Sequence, residues 1–230
     1  MSGLTFAVIG KQKEIGYVAV SPGDGLTEIF QNLGVDEIIQ GGQTMNPSTE
    51  DILNAIEKVN AKTVFVLPNN KNIILAGEQA SKLTKQKNVI VIPSKTIPQG
   101  ISAMLNIMAE DSEGIQQDML ESIKNVASAS VTYAVRETTF DGKSIKQGDI
   151  IGMQEDNITV ISESAEKGAK DLLHKVVTED AEMISIYYGA DVTLQEAEEI
   201  KQYAEDKFSS CDVELHRGGQ PLYYYIISVE

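Results

Sequence analysis

Thr63-Val64-Phe65-Val66-Leu67-Pro68-Asn69-Asn70-Lys71-Asn72-Ile73 is the stretch that decides the fold. A run of five β-favouring residues without polar and apolar alternation describes a strand covered on both faces. The Pro-Asn-Asn that stops it leads into a helix expected to end near residue 85. The same unit recurs on both sides. Upstream, Tyr17-Val18-Ala19-Val20 is followed by the turn Ser21-Pro22-Gly23-Asp24-Gly25 and a helix over 26–33, with Leu26, Ile29, Phe30 and Leu33 at helical spacing. A short strand over 37–40 follows. Ser48, with Asp51 three positions on, then supplies a capping signal for a helix over 49–60. Downstream, Val89-Ile90-Val91-Ile92 ends at Pro93-Ser94-Lys95-Thr96, before a long helical stretch over 97–125.

Strands alternating with helices predict a parallel sheet with helices on its faces. Loops at the carboxyl ends of such strands gather on one edge, which places Asn46, Asn70 and Ser94 near one another. The pattern changes near Ala127-Ser128-Ala129-Ser130. Residues 131–138, 150–153 and 157–161 are β-forming segments around the turn Asp141-Gly142-Lys143 and predict an antiparallel meander. A helix over 164–177, a strand over 183–188, an acidic amphipathic helix over 193–208 and strands over 212–215 and 222–229 complete the chain. The expected architecture is α/β and two-lobed, with a parallel-sheet first lobe over 1–126 and an α+β second lobe over 127–230.

The chain has 230 residues, 42% hydrophobic and 23% charged, a globular mixture. No apolar run reaches the roughly 18–20 residues of a membrane span, and the start has no signal-type segment, so a cytoplasmic protein is expected. Cys211 is the single cysteine, which fits a reducing compartment. The net charge of −15 argues against nucleic acid or an anionic membrane as partner and favours a protein with a basic face. The acidity is uneven: 10 basic against 14 acidic side chains over 1–125, and 9 against 20 over 126–230.

Catalytic constellations are missing from the pattern. Gly142-Lys143-Ser144 ends like a phosphate-binding loop, but Glu137 stands where that motif needs a glycine. Ser21-Pro22-Gly23-Asp24-Gly25 fits either an anion cradle at a helix N-terminus or a tight turn. His174 and His216 are far apart in sequence and lack partners at metal-ligand spacing, and no Gly-x-Ser-x-Gly elbow occurs. The pairs Glu198-Glu199 and Glu205-Asp206 belong to the solvated face of a helix.

The runs Gly16-Tyr17-Val18-Ala19-Val20-Ser21-Pro22-Gly23-Asp24-Gly25, Gly41-Gly42-Gln43-Thr44-Met45-Asn46-Pro47-Ser48-Thr49 and Leu67-Pro68-Asn69-Asn70-Lys71-Asn72-Ile73 resemble the C-terminal region of the ATP-binding component of bacterial fatty acid kinase, FakA. The resemblance implies that ATP and magnesium belong to an N-terminal kinase domain outside these residues, with a middle domain between, and that no cofactor binds here. It implies a partner, FakB, the carrier that presents a fatty acid for phosphorylation to acyl phosphate for phospholipid synthesis. A second likeness, to the DegV fold of FakB itself, rests on Thr44-Met45-Asn46-Pro47-Ser48, Pro93-Ser94-Lys95-Thr96 and Arg217-Gly218-Gly219-Gln220. Where DegV proteins have a hydroxyl-rich Ser-x-x-Leu-Ser-Gly-Thr loop against the lipid carboxylate, this chain has Asn69-Asn70-Lys71-Asn72-Ile73.

Three functions follow as expectations: a non-catalytic docking domain for loaded FakB, a DegV-like lipid-binding domain, or a stand-alone small-molecule kinase or phosphatase. For docking, the strand-end residues Thr44, Asn46, Asn70, Lys71 and Arg217 are the candidate contacts. Alternation along Tyr223-Tyr224-Tyr225 adds Tyr224 as an outward anchor.

Overall fold

The computed structural model describes residues 11–42 and 45–230. Four parallel strands, β1 (Lys13–Ser21), β2 (Glu37–Gln40), β3 (Ala61–Leu67) and β4 (Asn88–Val91), form a sheet in the order β2-β1-β3-β4. Helices α1 (Asp24–Asn32), α2 (Thr49–Lys58) and α3 (Lys71–Leu83) connect them, and α4 (Ile97–Leu105) and α5 (Ser112–Ser122) follow. The second sheet has six strands in the order β11-β10-β12-β5-β8-β9. These are β5 (Ala127–Tyr133), β8 (Ile150–Gln154), β9 (Asn157–Ser162), β10 (Met183–Tyr188), β11 (Asp212–Arg217) and β12 (Tyr223–Val229); only β10 and β11 pair in parallel. A small hairpin, β6 (Thr138–Phe140) with β7 (Lys143–Ile145), is inserted in the meander, and α6 (Ala165–Val176) and α7 (Leu194–Lys207) complete the element list. Among the described residues no helix is long and apolar enough to cross a membrane.

Side-chain alternation builds five layers. Val18, Val20, Val64 and Val66 bury one face of the first sheet against α2 and α3. Ala19, Phe65 and Leu67 bury the other face against α1, α4 and α5, and that core also takes in Tyr187 and Ile226 of the second sheet. Ile184, Ile186, Tyr225 and Ile227 face the opposite way, into a core with Leu172, Leu173 and Ile200 of α6 and α7. The continuous apolar run of β3 is thus covered on both sides, and the middle core joins the two sheets. Ser48 and Asp51 form the capping box expected at α2, and Thr193 with Glu196 forms another at α7.

Two elements differ from their sequence reading. The helix expected over 97–125 is broken: Asn106 turns its carboxamide back onto the Ser102 carbonyl (2.9 Å), and Asp111 starts a new helix by accepting from the amides of Glu113 and Gly114. Asp118 holds the corner by accepting from the Met108 and Ala109 amides at 2.8 and 2.9 Å. Local side-chain to backbone bonds of this kind compete with a helix whose periodicity alone would continue. The second difference is at β12, where a register shift between Tyr223 and Tyr225 breaks the alternation. Tyr224 and Tyr225 therefore both pack on the α6/α7 core, and Tyr224 is half-buried with its ring edge to Tyr133 (centroids 6.4 Å apart). It is not an outward anchor.

Candidate functional site

The strand-end loops of the first sheet meet the second sheet around a cavity of about 290 Å3. Asn69, Asn70, Lys71, Lys95, Thr96 and Gln99 line one side, and Ser128, Ser130, Glu155, Asp156 and Tyr223 the other.

Asn69 fixes the floor. Its φ of 54° is left-handed, a region asparagine tolerates better than most residues. Its carboxamide donates to the Val20 carbonyl (2.9 Å) and accepts from the Ser94 hydroxyl (2.8 Å), whose oxygen accepts in turn from the Asn69 amide (3.0 Å). Asn70 is the N-cap of α3, accepting from the Asn72 amide, and its side-chain nitrogen donates to the Gly42 carbonyl. Thr96 caps α4 and its hydroxyl lies 2.7 Å from that of Ser128, a direct tie across the cleft. Lys71 makes a second tie: its ammonium lies 2.6 Å from the Asp156 carboxylate, in the turn between β8 and β9. Burial raises the Tyr223 phenol pKa above its ordinary value, and the Asp156 charge adds to this.

The expected contact residues divide. Asn70 and Lys71 both line the cavity. Asn46 is exposed and is not part of its wall, and Thr44 lies outside the described residues. Asn69, not Asn46, makes the bond to Ser94. Arg217 belongs to another place, where its guanidinium pairs with Asp24 at 2.8 Å and holds that carboxyl below its ordinary pKa. The sequence reading missed Ser128, Ser130 and Asp156, because their approach to the first sheet is set by the packing of one sheet on the other.

The other candidates resolve into structure. The N-terminus of α1 is filled by the β11–β12 turn: the Leu26 amide donates to the Gly218 carbonyl (2.9 Å), and a Cβ at Gly25 would lie 1.9 Å from the Arg217 carbonyl oxygen. No room is left there for an anion. Gly142-Lys143-Ser144 belongs to the β6–β7 hairpin, with Asp141 and Gly142 at φ 49° and 72° as a type I′ turn requires. His174 bonds the Tyr203 hydroxyl at 2.7 Å, and His216 stacks on Tyr187 beside Glu214. Cys211 donates its thiol to the Ala181 carbonyl. Among the described residues no group of three or more His, Cys, Asp or Glu is placed to hold a metal ion.

The cavity walls carry hydroxyls, carboxamides and two oppositely charged pairs, with neither a His nor a Cys. Its volume is at the lower edge of the roughly 300–1,000 Å3 usual for small-molecule pockets, and its polar lining is the reverse of an apolar chamber. The arrangement ties two layers together and offers polar contacts.

Comparison with solved structures gives the class: the chain has the DegV fold. A DegV lipid-binding protein from Thermotoga maritima superposes with a TM-score of 0.67 at 9% identity, over 94% of this chain and 98% of that one. The Streptococcus pneumoniae Fatty Acid Kinase (Fak) B3 protein, solved loaded with linoleic acid, superposes with a TM-score of 0.56 at 8% identity, over 94% and 99%. The chain itself belongs to the FakA-like C-terminal family of fatty acid kinase proteins, whose family model matches residues 16–230. Protein YloV of Bacillus subtilis (strain 168) is 45% identical over 216 residues, covering 94% of this chain and 39% of YloV. The chain thus spans about two fifths of the length of the curated relatives it matches.

Proposed function

We propose that this chain is the docking domain of a fatty acid kinase: it holds the fatty-acid-loaded carrier FakB so that the acyl carboxylate can be phosphorylated by a kinase domain elsewhere in the larger protein. ATP and magnesium are assigned to that other domain. The observation that carries the reading is the cleft. In a fold shared with lipid-binding proteins, the strand-end edge holds a small polar cavity crossed by the Thr96–Ser128 and Lys71–Asp156 ties. Scaffold and surface are retained, and an apolar cavity at that edge is not. Docking gains rate by raising effective concentration and fixing orientation, without a reacting group of its own. The net charge of −15 fits a carrier with a basic face, since complementary charge speeds encounter.

Titration calorimetry of this chain against fatty-acid-loaded FakB, at low and raised salt, tests the reading. Saturable one-to-one binding that weakens with salt is expected. A folded chain that gives no heat refutes it. The second reading, a DegV-like lipid-binding domain, is favoured by the fold shared with two lipid-binding proteins. Native mass spectrometry separates the two: near one fatty acid per purified chain supports lipid binding and overturns docking as the sole role.

A further inference from the structure

The corner between α4 and α5 presents two apolar side chains to solvent on a backbone that is held in place. Met108 is 90% exposed and Leu105 62%. Between and beside them, Ile107 and Ala109 turn inward onto the middle core. Asp118 binds the amides of Met108 and Ala109, and a Cβ at Gly114 would lie 2.5 Å from that of Ala109, so the first turn of α5 packs closely under the corner. The exposure of Met108 therefore belongs to a fixed knob. Apolar side chains displayed on rigid backbone lose little freedom on binding, and methionine is enriched at interfaces because it adapts to the opposing surface.

The knob has an acidic border. Glu110, Asp111 and Glu113 are exposed and follow it directly, and among the described residues none of the three has an ion-pair partner. The Ser102 hydroxyl donates to Glu230 at 2.9 Å, which brings another carboxylate, from the end of the second sheet, against α4. By contrast Leu75 and Leu83, exposed on α3, share their helix with Lys71 and Lys82 and have no such one-signed border.

We infer that the Leu105–Met108 knob with its acidic border is where the carrier docks, inserting into an apolar socket on the partner that is edged by lysines and arginines. The inference rests on the docking reading. Apolar contact at the centre supplies the affinity, and the charges around it supply encounter rate and salt dependence.

The test is calorimetry of fatty-acid-loaded FakB against the wild-type chain, a Leu105→Ser/Met108→Ser variant and a Leu75→Ser/Leu83→Ser control, with sedimentation of each chain alone. Neither substituted pair is buried, so thermal midpoints should be unchanged. The knob variant is expected to weaken binding by about tenfold or more, and the α3 control by less than about twofold. Glu110→Gln/Glu113→Gln should flatten the salt dependence. Wild-type affinity in the knob variant overturns the assignment while leaving the docking reading intact. A dimer of the free chain that dissolves in the knob variant, with carrier binding unchanged, gives the knob to a second copy and overturns it as well. Absence of binding by the wild-type chain removes the docking reading and the knob together.

Discussion

Replacing Asn69 by alanine probes the cavity floor, and its cost can be worked from the structure. The last paired residues of β1 and β3 are Ala19 and Leu67, so Pro68 stands next to Val20 and has no N–H to give it. The Asn69 carboxamide takes over that role at 2.9 Å and also accepts the Ser94 hydroxyl proton at 2.8 Å. Val20 and Ser94 are 1% and 0% exposed, so water does not replace what is lost. Each stranded group costs about 1–3 kcal/mol. Alanine at φ 54° adds about 1–2 kcal/mol. The sum is about 3–6 kcal/mol, read by urea denaturation followed by far-ultraviolet circular dichroism, since the chain has no tryptophan. Asn69→Gly loses the same bonds without the left-handed penalty and should be about 1 kcal/mol more stable than Asn69→Ala. Gly100→Ala closes the cycle. Its Cβ would lie 2.0 Å from the Asn69 Oδ1, so it should destabilise the wild type and be tolerated once residue 69 is glycine. Loss of less than about 1 kcal/mol in Asn69→Ala, or additivity of Gly100→Ala with Asn69→Gly, would refute the argument.

The Lys87 ammonium donates to the carbonyls of Ile56, Glu57 and Val59 at 2.7–2.8 Å with its side chain only 10% exposed, closing the end of α2. Lys87→Met should cost about 2–3 kcal/mol in the same denaturation assay, and a change under 0.5 kcal/mol (roughly the surface-substitution range) would sink that role. Lys71→Ala removes a tie whose partners are each about half exposed, so the stability loss should stay below about 1 kcal/mol and disappear in about 1 M salt; a larger, salt-insensitive loss contradicts a surface pair. The Met108 and Ala109 amides hold the Asp118 carboxyl below its ordinary pKa. Its stabilisation is therefore complete above the unfolded value near 4 and is lost as pH falls through the lower folded value. Asp118→Asn should show a shallower acid-side decline in thermal midpoint than the wild type, and an unchanged slope would mean those bonds do not form.

Much of the fold was legible because burial on two faces leaves a strong trace. The uninterrupted apolar run of β3, the limits of β2 and β10, and the Ser48/Asp51 box at α2 were all readable locally. The break at Asn106 was not, since it depends on Asp118 reaching back to amides in the preceding corner, a bond invisible to helical periodicity. The Tyr224 error has a similar origin: alternation predicts outward and inward faces only while the register holds, and here it shifts. For the site, the strand-end rule found Asn70 and Lys71 but misplaced Arg217, because the same rule applies separately to β11, whose end points at α1. The partner of Lys71, Asp156, is remote in sequence, and only sheet-on-sheet packing brings it near.

The ties between the layers bear on how such a domain can work. A protein that clamps a ligand between lobes needs a hinge whose opening costs little. Here the middle core runs from Phe65 and Leu67 of the first sheet through α1 and α4 to Tyr187 and Ile226 of the second. Around it lie the Leu26–Gly218 backbone bond, the Asp24–Arg217 pair, the Thr96–Ser128 contact and the Ser102–Glu230 bond. Separating the layers would expose buried aromatic and aliphatic surface at about 25 cal/mol per Å2, far more than a polar cavity of this size can return by closing on a small molecule. A stiff platform is the better use of such a body. It can hold an exposed knob such as Met108 in fixed relation to the rest of a kinase, so that orientation set at the docking surface is transmitted to a bound carrier without loss at a hinge.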